Sequence, residues 1–170
     1  MSQTTSLTPS PASATSSADA AAAPAIAAYR QFFVLGLEAT RDPSRFTAEA
    51  KPGPADFRAY AFDPILGEYV AFVMGLASDK VAYRGTPPTP RISVTTVDLA
   101  ATPYPRVELS NCPTPAPTWK QYSVTTGQEL VTASPSVAPP YRLAVEVIQH
   151  QGRWGVSKIT ADGSATCDQP

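Results

Sequence analysis

Residues 141–162, "YRLAVEVIQHQGRWGVSKITAD", constrain the fold more than any other stretch. Leu143, Val145 and Val147 alternate with polar neighbours, and Trp154 and Val156 share a face further on. Between them Gln151-Gly152 offers a two-residue turn, with glycine free to take a positive φ. The stretch predicts a β-hairpin, so the C-terminal end of the chain must build an antiparallel sheet.

More strands precede it. "RISVTTVDLA" (91–100) places Ile92, Val94 and Thr96 on one face, and "YPRVELSN" (104–111) does the same for Val107 and Leu109. "WKQYSVTTGQELVTA" (119–133) predicts a strand, a turn near Thr126-Gly127 and a short return. Upstream the period is helical. Ile26, Tyr29, Phe33 and Leu37 fall on one face, widened by Phe32, in a helix that should stop near Arg41 because Asp42-Pro43 follows. "ADFRAYA" (55–61) predicts a short helix that Asp56 starts. Asp63-Pro64 opens a second long helix with Ile65, Tyr69, Phe72, Val73 and Leu76 on one face. Gly67 and Gly75 each weaken that helix by about 1 kcal/mol relative to alanine, so packing must supply the difference. Helices first, then four to six antiparallel strands, read as α+β: helices on one face of a curved, cone-like sheet.

The first 24 residues differ from the rest. Twenty of them are Ser, Thr, Ala or Pro, too little apolar surface to offset ordering entropy. They read as a disordered tether before a single domain spanning 25–170, although the alanine run 20–23 could extend the first helix backward. No run approaches the ~20 apolar residues of a transmembrane helix, and Met1 is not followed by the basic and apolar regions of a signal peptide. A net charge of −1 gives no argument for nucleic acid or for an anionic membrane.

The two cysteines, Cys112 and Cys167, each follow a strand-like run. Neither belongs to a C-x-x-C motif, so a zinc site is poorly supported. Two buried free thiols are one reading. Flexible post-strand positions suit a disulfide better, and a disulfide implies an oxidising compartment.

"FRAYAFDPILGEYVAFVMGLASDKVAYRGTP", then "ISVTTVDL", "VELSNC", "TTGQE" and the closing cysteine resemble a family of secreted proteins and lipoproteins of high-GC Gram-positive bacteria. Its members carry a tether and then a domain of the nuclear transport factor 2-like, or cystatin-like cone, type. Tyr60, Ala61, Asp63 and Leu66 match its helix-opening segment, and Arg84-Gly85 its turn before the first long strand. The resemblance implies a Cys112–Cys167 pair, export, and a leader or lipid anchor lost from this sequence. It implies no reaction.

Candidates for chemistry are few. His150, the only histidine, should sit exposed on the hairpin tip; a His-based metal cage is excluded, and no motif calls for a cofactor. Enzymes of the wider superfamily use an acid and a tyrosine, for which Asp56, Tyr60, Asp63 and Tyr29 are the nearest material, Asp56 and Tyr60 foremost. Trp119 and Trp154 read as core, and Arg58, Arg84 and Arg91 as solvated. The expected site is an aromatic concavity of Tyr29, Phe33, Tyr60 and Trp119. The expected function is a non-enzymatic extracytoplasmic module that binds a small apolar ligand or a protein, as monomer or homodimer. The alternatives are an isomerase- or dehydratase-like enzyme and an assembly adaptor of a membrane complex.

Overall fold

A computed structural model describes residues 17–46, 51–130 and 141–167. Helix α1 runs Ser17–Arg41 and ends before a 3-10 turn, Pro43–Arg45. A second 3-10 turn, Phe57–Tyr60, leads to helix α2, Ile65–Ser78. Six strands follow: β1 Val81–Arg84, β2 Ile92–Asp98, β3 Arg106–Asn111, β4 Lys120–Ser123, β5 Tyr141–His150 and β6 Arg153–Thr166. β2, β3, β5 and β6 form one antiparallel sheet in that order, and β1 pairs with β4 in a second sheet of two strands. The α+β class is as the period switch predicted. The single sheet is not.

The large sheet has one apolar face. Val107, Leu109, Val145, Val147 and Val156 form one buried cluster with Ala22, Ala25, Ala28, Tyr29 and Phe32 of α1. Those helix positions recur every three or four residues, which keeps them on one side of a 3.6-residue helix. The buried stripe is centred on Phe32, with Ile26, Phe33 and Leu37 half-buried at its flanks. Residues 17–24, read above as tether, are therefore helical, and Ala22 is fully buried. Residues 1–16 lie outside the described residues.

Asp19–Arg41 is also long and apolar enough to cross a membrane by length and composition, with a mean hydropathy of 1.3. No unbroken apolar run revealed this, because Arg30 and Glu38 interrupt the segment. In this fold its apolar stripe packs against the sheet.

Local backbone accounts for the other departures. In β2 the register shifts between Val94 and Thr96, so Thr95 is an extra residue. Such a bulge reverses the alternation. Val97, opposite Val107, turns inward, and Thr96 is exposed. β1 was not predicted; four residues are too few to show a period of two. Lys80, at φ 56, provides the left-handed residue between α2 and β1. The hairpin turn is as predicted, with Gln151 at φ 52 and Gly152 at φ 73. The return arm after Thr126-Gly127 pairs at Glu129 with Tyr122; its last residues, 131–133, lie outside the described residues.

Candidate functional site

The cysteines are joined. Cys112, just beyond β3, and Cys167, just beyond β6, form a disulfide with Cα atoms 5.4 Å apart, across a sequence separation of 55. The bridge ties the end of the outer strand β6 to the end of β3. Beside it, Arg91 and Cys112 are joined twice: Cys112 N–H donates to Arg91 O at 2.9 Å and the Arg91 side-chain Nε donates to Cys112 O at 2.8 Å. The adjacent Asn111 is fully buried. Its Oδ1 accepts from Arg91 N–H at 2.9 Å and its Nδ2 donates to the Tyr29 hydroxyl at 2.7 Å. A strut thus crosses the core from β3 to α1. Burial pushes the Tyr29 phenol up, against the smaller opposing effect of the Asn111 hydrogen bond. A disulfide in this position points to an oxidising compartment.

The predicted aromatic concavity is not assembled. Tyr29 is core, with no exposed surface, and packs edge-on against Phe33. Tyr60 donates its hydroxyl to Pro54 O at 3.0 Å. Trp119 lies on the small sheet, stacked on Tyr83 with the Arg41 guanidinium over its other neighbourhood at 4.9 Å. The reason is volume. Tyr29, Phe57, Leu109, Val73 and Val107 fill the space between helices and sheet that the cone reading left open.

The enzyme candidates are committed elsewhere. Asp56 caps the 3-10 turn through Arg58 N–H at 2.9 Å and holds the buried Arg58 guanidinium at 2.6 Å. Burial alone would raise its carboxyl, but the hydrogen bonds and charge of Arg58 outweigh that and keep it below the usual range. A general base near neutral pH needs the opposite shift. Arg58, read as solvated, is buried over the Phe46 ring. Asp63 is exposed and accepts from Gly67 N–H at 3.2 Å, so it makes a capping contact as predicted, although α2 starts at Ile65, one residue later than predicted. His150 is half-buried, not an exposed loop residue. It ends β5 and meets the rings of Phe62 and Tyr104 edge-on at 5.7 and 4.8 Å. Among the described residues no three His, Cys, Asp or Glu side chains are grouped to hold a metal ion.

Two other surfaces carry features that the sequence did not single out. The first is the face of the large sheet turned away from α1. An open cleft of about 760 Å³ lies where this face meets the start of α2 and the 99–105 loop. Asp63 just before α2, Glu68 in it, Asp98 from β2 and Glu146 from β5 line it, with Arg106 and Lys158 as the cations among the described residues. Arg106 Nε is buried without a hydrogen-bond partner, and the guanidinium reaches Glu108 and Glu146 only at 3.6 and 3.8 Å. Glu146 is further held by the Ser157 hydroxyl at 2.6 Å. The remaining carboxylates, Asp63, Glu68 and Asp98, form no ion pair among the described residues. A second open cleft, about 640 Å³, continues across the same face between Ser93, Ser110, Arg142 and Thr160.

The second surface is α2 itself. "ILGEYVAFVMGLAS" carries one charge, Glu68. Ile65, Val73 and Leu76 are buried. Phe72, predicted on that inner face, is 42% exposed and meets the Tyr69 ring in an edge-to-face contact; Met74 is 49% exposed. Gly67 and Ala71 are exposed on the same outer side. A Cβ added at Gly75 would meet nothing within 4 Å. Helices that face water usually present charged residues there, and this one presents glycine, alanine and methionine. The signal was legible, since two glycines and a single charge in 14 residues suit no ordinary surface helix.

No protein-family model and no curated protein matches the chain. Among solved structures, the intermembrane space region of the chloroplast protein ARC6 is similar at a TM-score of 0.45 and 13% identity, over 86% of this chain and 97% of that one. At that level the likeness bears on neither residues nor activity. What the fold and surfaces define on their own is a disulfide-stapled α+β module with a filled interior and one bare helix.

Proposed function

We propose that the chain is a non-enzymatic extracytoplasmic module that docks a protein partner on the outer face of α2. The observation that carries this reading is the uncovered apolar surface of Gly67, Ala71, Phe72 and Met74, with half-buried Gly75 at its edge. Contiguous exposed apolar surface marks interaction sites. The disulfide supports export. The helix-then-sheet order and the post-strand cysteine pair accord with the secreted cone-like family that the sequence resembles. A small apolar ligand is the weaker reading, because the space between helices and sheet is filled by side chains.

A photo-crosslinking residue at Met74, in the native host, tests this. The expected result is a discrete crosslinked species that Ala71→Arg removes. No crosslink at Met74, or an equal one from the control position Thr160 on the sheet face, would overturn it.

A further inference from the structure

The bare face of α2 does not end on neutral ground. Glu68 belongs both to α2 and to the wall of the 760 Å³ cleft, and Pro64, at the helix N-cap, lines the same wall. Phe72 follows Glu68 by one turn on the same flank. The apolar face and the acidic cleft are therefore one continuous surface.

Charge decides what can lie on it. The cleft holds four carboxylates, Asp63, Glu68, Asp98 and Glu146, against two cations, Arg106 and Lys158. Arg106 and Glu146 are engaged with each other and with Glu108 and Ser157. Among the described residues Asp63 and Asp98 accept backbone N–H groups, of Gly67 at 3.2 Å and of Ala100 at 3.2 Å. Among the described residues the three rim carboxylates face a cleft with one cation, Lys158, outside the ion pairs named above, so an anionic segment is repelled and a cationic one is drawn in.

Shape decides the rest. Gly67, Ala71 and Gly75 recur every four residues along a helix about 21 Å long, so the surface there is low and another helix can approach closely.

Resting on the reading that α2 docks a protein, we propose that its partner segment is an amphipathic helix. That helix lays its apolar face along Gly67, Ala71 and Gly75. It places lysine or arginine side chains from one end into the cleft between Asp63, Glu68 and Asp98. The contact belongs to the class in which one helix lies against the apolar surface of another protein.

The test uses the full chain and two synthetic amphipathic helical peptides, alike in their leucine–alanine face. One carries lysines at one end and the other carries glutamates there. Fluorescence anisotropy is read at low salt and at about 0.5 M salt, where the Debye length falls to about 4 Å. The lysine peptide is expected to bind at least about tenfold tighter than the glutamate peptide at low salt, an advantage that salt reduces. Glu68→Lys and Asp98→Lys should each weaken it several-fold, Glu68→Gln less, and Ala71→Arg should abolish it. Thermal melts confirm that each variant folds.

If both peptides bind alike and only Ala71→Arg matters, the docking face stands and the basic partner is refuted. If Ala71→Arg changes nothing, both readings fall. If neither peptide binds at millimolar concentration, the proposal is wrong. If the chain dimerises and Ala71→Arg makes it a monomer, the occupant is a second copy and the proposal is overturned.

Discussion

The strut between Tyr29 and Asn111 makes a quantitative claim about how α1 is held to the sheet. Tyr29→Phe removes the hydroxyl and leaves Asn111 Nδ2, fully buried, without its acceptor. An unsatisfied buried donor costs about 1–3 kcal/mol. Asn111→Ala does more. It also strips the acceptor from Arg91 N–H and opens a hole, for a total of about 3 kcal/mol. In the double variant the orphaned Nδ2 no longer exists, so the two losses should fall short of their sum by about 1–2 kcal/mol. Urea unfolding at pH 7 measures all three. The same pair shapes the alkaline limb. Tyr29 has its pKa raised in the folded state, chiefly by burial. The folded chain keeps that proton longer than the unfolded one, so the contribution is fully present below the ordinary tyrosine pKa of about 10 and is lost as pH rises above it. Tyr29→Phe should flatten part of that loss; Tyr69, raised by burial and then by its neighbour Tyr83, contributes another part. Additive losses within about 0.5 kcal/mol would refute the strut, and an alkaline slope unchanged by Tyr29→Phe would refute the burial of the phenol.

Three further outcomes follow from the same coordinates. Replacing both Cys112 and Cys167 by serine opens a loop of 55 positions and should cost about 4 kcal/mol in the chain-entropy account, read as a lower denaturation midpoint; a loss below about 1 kcal/mol would contradict the staple. Gly85→Ala forces a side chain to φ 103 with its Cβ against the Thr118 carbonyl oxygen, so it should destabilise by about 3 kcal/mol or more, and a neutral result in thermal melts would contradict this local geometry. Gly75→Ala meets open space and should stabilise the chain by about 1 kcal/mol while weakening partner binding; a gain in both would mean that the low helix surface serves no close approach.

The parts of the fold legible in sequence are those where one rule acts alone. The β5–β6 hairpin was readable because alternation and a glycine turn agree, and β3 because Val107 and Leu109 alternate without interruption. β2 misled from Thr96 onward, because a bulge has no residue-level signature there. In α1 the choice of Phe33 over Phe32 as the centre of the stripe came from counting large side chains; the buried alanines at 22, 25 and 28 set the true phase. The candidate site was less legible. Tyr29, Phe33, Tyr60 and Trp119 are separated by tertiary packing, which no local pattern encodes. Asp98, Arg106 and Glu146 sit at polar strand positions and read as ordinary solvent-facing residues until the fold brings them beside Glu68. The cysteines were the exception, since their post-strand positions already suited a bridge.

Amide chemical-shift mapping of the ¹⁵N-labelled chain, on addition of the lysine-bearing helical peptide, tests the central claim most directly. The account predicts shifts concentrated in Gly67–Ser78 and at residues 98–104, and absent when Ala71 is replaced by arginine. Shifts confined to Ser93, Ser110 and Thr160 on the sheet face, or no shifts at saturating peptide, would contradict it.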